Sequence, residues 1–225
     1  MQGPEKKIYD PIRVERTIQS LARNIAGEAT NARVLAEVNS DVRSVDEKTL
    51  RADLDSLQRV FVYEPLPAWS VDVRSRSRLR KKGKIHFADP SIALASLKIG
   101  AERLMMQPQY FGFVFESMVV RDVRSLSSRD GGEVFHYRDD AGLEIDVAID
   151  YPDTWAGIEV KLDSSQIPEA EEHLLRLKNH KVDTAKVGDP AFLAIVTATE
   201  YAYNAAFWCA RYPLGVPREV ANPIF

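Results

Sequence analysis

Gly142-Leu143-Glu144-Ile145-Asp146-Val147-Ala148-Ile149-Asp150, followed after Tyr151-Pro152-Asp153 by Ala156-Gly157-Ile158-Glu159-Val160-Lys161-Leu162, is the stretch that decides the fold. Period-two alternation puts Leu143, Ile145, Val147 and Ile149 on one face of a strand, with Glu144, Asp146, Ala148 and Asp150 on the other. In the next strand Ile158, Val160 and Leu162 share a face. Glu159 and Lys161 lie together on the opposite one, roughly 7 Å apart. Pro152-Asp153 suits the turn between them. Paired in register, this hairpin brings Asp146, Glu159 and Lys161 together.

Outward from the hairpin, Val134 to Tyr137 reads as a preceding strand, set off by Gly131-Gly132 and by Asp139 to Gly142 at its two ends. The three strands make an antiparallel meander. A long apolar helix is expected before it, from about Tyr110 to Leu126. After it come a helix from about Ile167 to Lys181 and a fourth strand from Ala191 to Val196.

Two hard carboxylates such as Asp146 and Glu159 suit Mg²⁺, which would activate a water and neutralise charge on a phosphate. Lys161 has the charge to orient that water or stabilise a pentacovalent transition state. Glu116 lies in the long helix with Phe113 before it and Val119 and Val120 after it, so a metal, a cation or a hydrogen-bond donor is expected beside it. A place next to the site, as an extra ligand or base, accounts for it. A competing reading stays open: an amphipathic hairpin with a charged solvent face has the same pattern, and Glu116 then pairs with an arginine such as Arg121 or Arg138.

The first part of the chain predicts three helices. The first spans Ile12 to Ala26, with Gly27 as its stop. The second is capped by Thr30 and leaves at Asn39-Ser40-Asp41. The third opens on a Ser44–Glu47 capping box and carries the stripe Leu50, Leu54, Leu57 and Val60. Phe61 to Tyr63 and Lys84 to Phe87 then read as short strands, which completes a winged-helix plan. Asp89-Pro90 starts a further helix through Leu97. Seven basic residues, Arg74, Arg76, Arg78, Arg80, Lys81, Lys82 and Lys84, fall between the wing strands, where a basic loop reaches nucleic-acid phosphates. A solvated surface loop is the alternative. Asp46, Glu47, Asp53 and Asp55 in the third helix work against DNA reading. His86, His136 and Trp69 read as packing residues.

The 225 residues, 45% hydrophobic, suffice for a real core in one large or two small domains. The net charge of -3 leaves nucleic-acid attraction to local clusters. Cys209 is the single cysteine, and no leader-like stretch or run of roughly 18 apolar residues is present. A soluble protein in a reducing, cytoplasmic compartment is expected, with no membrane partner.

Phe111-Gly112, Phe115-Glu116-Ser117, His136-Tyr137-Arg138, Gly142-Leu143-Glu144-Ile145-Asp146 and Ile158-Glu159-Val160-Lys161 together resemble one family. It is the C-terminal region of prokaryotic AAA+ ATPases, known as domain of unknown function 4143. The likeness extends upstream through Ser20 to Asn24, Leu66 to Trp69 and Lys84 to Pro90, covering about residues 18 to 203. The resemblance implies an α+β fold: a winged-helix-like domain over 1–103, then a restriction-endonuclease-like (PD-(D/E)xK) α/β/α domain over 104–225 with a mixed central sheet. Asp146, Glu159 and Lys161 match that signature. Two departures stand out. No G-x-x-x-x-G-K-[ST] is present, so no ATPase activity is expected, and the chain is either a fragment or a stand-alone descendant with a separately encoded ATPase as partner. The stretch from Asn204 to Phe225 does not resemble the family's final strand.

Three functions are therefore open: a Mg²⁺-dependent DNA nuclease, a DNA-binding module without catalysis, and a protein-interaction or regulatory module of an ATPase system.

Overall fold

A computed structural model describes residues 10–39, 45–70, 82–198, 203–205 and 209–213. Helix α1 (Pro11–Arg23) starts where Asp10 accepts the backbone N–H groups of Ile12 and Arg13, with Pro11 in the first turn. It stops at Asn24, earlier than Gly27 suggested, and the chain turns away through Ala26 with a positive φ of 57°. Helix α2 (Asn31–Asn39) follows Thr30, whose hydroxyl accepts from the Arg33 N–H. Helix α3 (Glu47–Arg59) is capped by Asp46, which accepts from the Thr49 N–H at 2.7 Å; Ser44, the expected cap, lies outside the described residues. Its Leu50, Leu54 and Leu57 are buried, but the stripe ends there, since Val60 and Phe61 are exposed.

Regular wing strands do not form among the described residues. Tyr63 pairs with Phe87, Leu66 with Lys84 and Ile25 with Ile85 as isolated bridges. Helices α4 (Ser91–Ser96) and α5 (Ala101–Met105) lead to α6 (Pro108–Ser127). Strands β1 (Glu133–Arg138), β2 (Glu144–Asp150) and β3 (Trp155–Lys161) make the expected antiparallel meander. Helix α7 (Ile167–Arg176) continues into a π-helical turn over Leu177–Lys181 and is followed by the short α8 (Thr184–Val187). Strand β4 (Phe192–Thr197) then pairs in parallel with β3.

The tail departs from expectation. Strand β6 (Cys209–Pro213) adds in parallel to β4, and β5 (Tyr203–Ala205) closes the far edge, giving a mixed sheet in the order β1-β2-β3-β4-β6-β5. The fold is therefore mixed α+β. Helix α6 covers one sheet face: Phe115 and Val119 pack on Val160, and Val120 joins Val147, Ile149 and Ile158. Helix α7 covers the other, where Ala170, Leu174 and Leu177 meet Ile145, Ala148, Trp155 and Ile195.

A line drawn at residue 103 does not separate the packing. Leu66 is buried in the α6-side core, and Trp69 lies in the α7-side core, its ring 5.4 Å from that of Trp155. Conversely, Leu104 and Val114 belong to the core built by α1 to α4.

Candidate active site

The hairpin's alternation breaks beside Asp146. Phe135 pairs with Ala148 but Tyr137 with Ile145, so β2 carries one extra residue at Asp146-Val147. This β-bulge keeps Ile145 and Ala148 on the α7 side and Val147 and Ile149 on the α6 side. The sequence pattern had put Val147 with Ile145 and Asp146 with Ala148. The regular β2–β3 register begins only at Val147–Ile158. Beyond it the Asp146 carboxylate accepts the Val160 N–H at 2.8 Å, taking the place of a main-chain acceptor.

Asp146, Glu159 and Lys161 do converge. Lys161 Nζ is 2.8 Å from Glu159 Oε2 and 3.7 Å from Asp146 Oδ2. Asp146 and Glu159 thus share Lys161 as a common cationic neighbour. Glu159 is 1% exposed and also reaches His173 Nδ1 at 3.1 Å. His173 arrives from α7, three residues beyond the buried Ala170 and next to Leu174, a spacing that places it on the inward face.

Glu116 joins the cluster through a partner that sequence reasoning assigned elsewhere. Lys84 Nζ lies 2.8 Å from Glu116 Oε1, 2.8 Å from Glu144 Oε1 and 3.7 Å from Asp146 Oδ1. Lys84 is 3% exposed, so it is not placed to contact surface phosphates. Of the basic run, Lys82 is exposed, while Arg74, Arg76, Arg78, Arg80 and Lys81 lie outside the described residues. The arginines considered as partners of Glu116 are engaged elsewhere: Arg121 pairs with Asp122 and Asp89, and Arg138 with Glu28 and Glu144. The residues that pattern reading missed are Lys84 as a site member, Glu144 and His173. Only Glu144, two residues from Asp146, had a visible signal.

Four carboxyl groups and two ammonium groups thus share one partly buried volume. Burial, reinforced by the charge of Asp146, pushes Glu159 up to about 10, against the pull of Lys161. Burial and Asp146 likewise push Glu116 up to about 8 despite Lys84. Asp146 goes the other way: burial alone would raise it, but Lys84, Lys161 and the hydrogen bonds from Glu159 and Val160 hold it below the ordinary carboxyl value. Lys84 and Lys161 are both raised, since their carboxylate neighbours outweigh burial. With Glu116 and Glu159 both raised, the lowered Asp146 is the acid that faces the two ammonium groups as a carboxylate.

Hard oxygen donors of this kind suit Mg²⁺ in chemistry but not in this arrangement. The Asp146 oxygens face Lys84, Lys161 and the Val160 N–H, and Glu159 holds a proton. Among the described residues no three His, Cys, Asp or Glu side chains converge in metal-ligand geometry. A metal at Asp146 and Glu159 requires that proton to leave and an ammonium group to move aside.

His86 and His136 lie in the seam between the segment around Lys84 and the rest of the site. His86 Nδ1 is 3.1 Å from Ser117 Oγ, next to Glu116, and His136 Nε2 donates to the Lys82 carbonyl at 3.0 Å. Burial lowers both imidazoles, which keeps them neutral.

Two family models match the chain: domain of unknown function 8612 over residues 5–103 and domain of unknown function 4143 over residues 111–212. The second ends at residue 212, within β6, so it takes in the first part of the tail that was expected to leave the family's pattern. The upstream motifs attributed to the same family fall instead under the first. No curated protein and no solved structure matches the chain. Glu116, Glu144, Asp146, Glu159, Lys161 and His173 lie within the second match, and Lys84 lies within the first.

Proposed function

We propose that the chain is a restriction-endonuclease-like module acting on the phosphodiester backbone of DNA, with a winged-helix-like N-terminal part. The convergence of Asp146, Glu159 and Lys161 where the β2–β3 ladder opens carries this reading. Three helices followed by antiparallel bridges support the N-terminal assignment. The order α6-β1-β2-β3-α7-β4, with a helix on each sheet face, supports the C-terminal one.

In this reading Lys161 faces the phosphate and carries positive charge to it, and Asp146 fixes the open end of β3 through Val160. Glu116 and Glu159, both held protonated near neutrality, are groups able to give or take a proton at the site. Lys82 and the arginine-rich run before it supply phosphate contacts. Mg²⁺ remains the cofactor this chemistry calls for, in a state of the site other than the closed one described. Where the chain stands alone rather than as part of a longer ATPase, the resemblance to AAA+-associated chains points to a separately encoded ATPase or another protein as its partner. No helix among the described residues is long and apolar enough to cross a membrane, which is compatible with a cytoplasmic setting.

A second reading, a non-catalytic DNA-binding or regulatory module, draws on the same cluster, because its acids are already neutralised by protons and lysines. Labelled duplex, single-stranded and branched DNA, incubated with Mg²⁺ or Mn²⁺, separates the two. Cleavage by the wild type that is lost in a folded Asp146→Ala, Glu159→Ala double variant supports the nuclease. DNA binding without cleavage at any metal concentration leaves the second reading.

A further inference from the structure

We infer that the Lys84 ammonium occupies the cation place of the acid cluster, so that it competes with a divalent metal for Glu116, Glu144 and Asp146. Metal entry is thereby controlled by the N-terminal segment. This rests on the metal-dependent reading above and names the residue that keeps the site closed.

The geometry of Lys84 is that of a placed counter-ion. Its Nζ stands 2.8 Å from carboxyl oxygens on two different elements, α6 and β2, and 3.7 Å from a third on Asp146. An ammonium offers three donors and no acceptor, so a pocket walled by carboxylates suits it as it suits a metal cation. The two differ in size and charge, and the second cannot enter beside the first without strong repulsion.

The backbone of Lys84 is held as tightly as its side chain. Its N–H donates to the Leu66 carbonyl and its carbonyl accepts from the Leu66 N–H, both at 2.9 Å. Leu66 is fully buried against Val120 and Val147. Gly83 lies so close that a Cβ there would sit 2.9 Å from the Leu66 carbonyl oxygen, and only glycine permits that approach. On either side, the Lys82 carbonyl is fastened to His136 and the His86 ring to Ser117. Lys84 is therefore delivered to the acids by an anchored extended segment. Releasing it requires the seam along residues 82–86 to shift, or the side chain to leave the cluster.

The test uses the full chain. Mn²⁺ is titrated by calorimetry into wild type, Lys84→Met and Lys84→Met/Glu116→Gln, the last also removing one of the three acids that face the vacated place. Tighter Mn²⁺ binding by about tenfold or more in either variant is expected. In parallel, wild-type Lys84 is probed by reductive methylation and mass spectrometry with and without Mg²⁺. Protection that falls severalfold when Mg²⁺ is added is expected. Equal Mn²⁺ affinity in all three proteins, with Lys84 equally protected, overturns the inference while leaving a metal site in place. No Mn²⁺ binding by any of them overturns both the inference and the metal-dependent reading.

Discussion

The Asp146 carboxylate accepts the Val160 N–H at 2.8 Å, so a side chain closes the β2–β3 ladder where the bulge has removed a main-chain partner. The same group also faces two ammonium ions, and its roles in structure and in charge are separable. Asp146→Asn keeps an acceptor for Val160, whereas Asp146→Ala leaves a buried donor unpaired at a cost of about 1–3 kcal/mol. Amide exchange at Val160 is expected to accelerate in the alanine variant and to stay near wild type in asparagine. Equal protection in both variants would show that the ladder does not depend on the side chain.

Glu159 and Glu116 titrate far above the ordinary carboxyl value of 4.5, the first at about 10 and the second at about 8. The folded state thus binds more protons than the unfolded one between these limits. Their contribution to stability is complete below the ordinary carboxyl value and is lost as the pH rises through 8 and then 10. Asp146 has the opposite sign and loses its contribution only in acid. Tm should fall as the pH rises from 6 towards 10, with Glu116 contributing to the fall only up to about 8 and Glu159 up to about 10. Glu159→Gln, a mimic of the protonated acid, should flatten the fall. Parallel Tm profiles for variant and wild type would contradict this.

Arg13 meets Asp53 through two hydrogen bonds, Nε to Oδ2 at 2.6 Å and Nη2 to Oδ1 at 3.1 Å, and Asp53 is 2% exposed. This pair ties α1 to α3. Arg13→Ala strands a buried carboxylate and should cost about 3–5 kcal/mol in urea unfolding, with Arg13→Lys recovering part of it. A loss under about 1 kcal/mol, typical of surface ion pairs, would mean the aspartate is solvated.

Much of the C-terminal architecture was legible because local and global preferences agree there. The meander, the long helix before it, α7 and β4 follow from hydrophobic period and turn residues. What failed did so for identifiable reasons. The alternation of Leu143 to Asp150 gives no sign of the bulge, because the shift is set by pairing with Phe135 and Tyr137 across the sheet. The place of Lys84 was hidden for a related reason: in sequence it terminates a basic run, and only the bridge to Leu66 and the acids of α6 and β2 take it inward. Asp146, Glu159 and Lys161 were readable as a group since all three lie in one hairpin.

The parallel bridge between Ala68 and His136, with the Trp69 N–H donating to the His136 carbonyl, lays an N-terminal segment along the free side of β1. That edge would otherwise offer unpaired main-chain groups to any extended strand. The two matched regions therefore pack together across a seam that does not coincide with their border. An exchange of parts by recombination near residue 104 would deliver a sheet with a bare edge and an acid cluster without its lysine. Residues 64–70 and 82–86 have to travel with the C-terminal half if that half is to be transplanted intact.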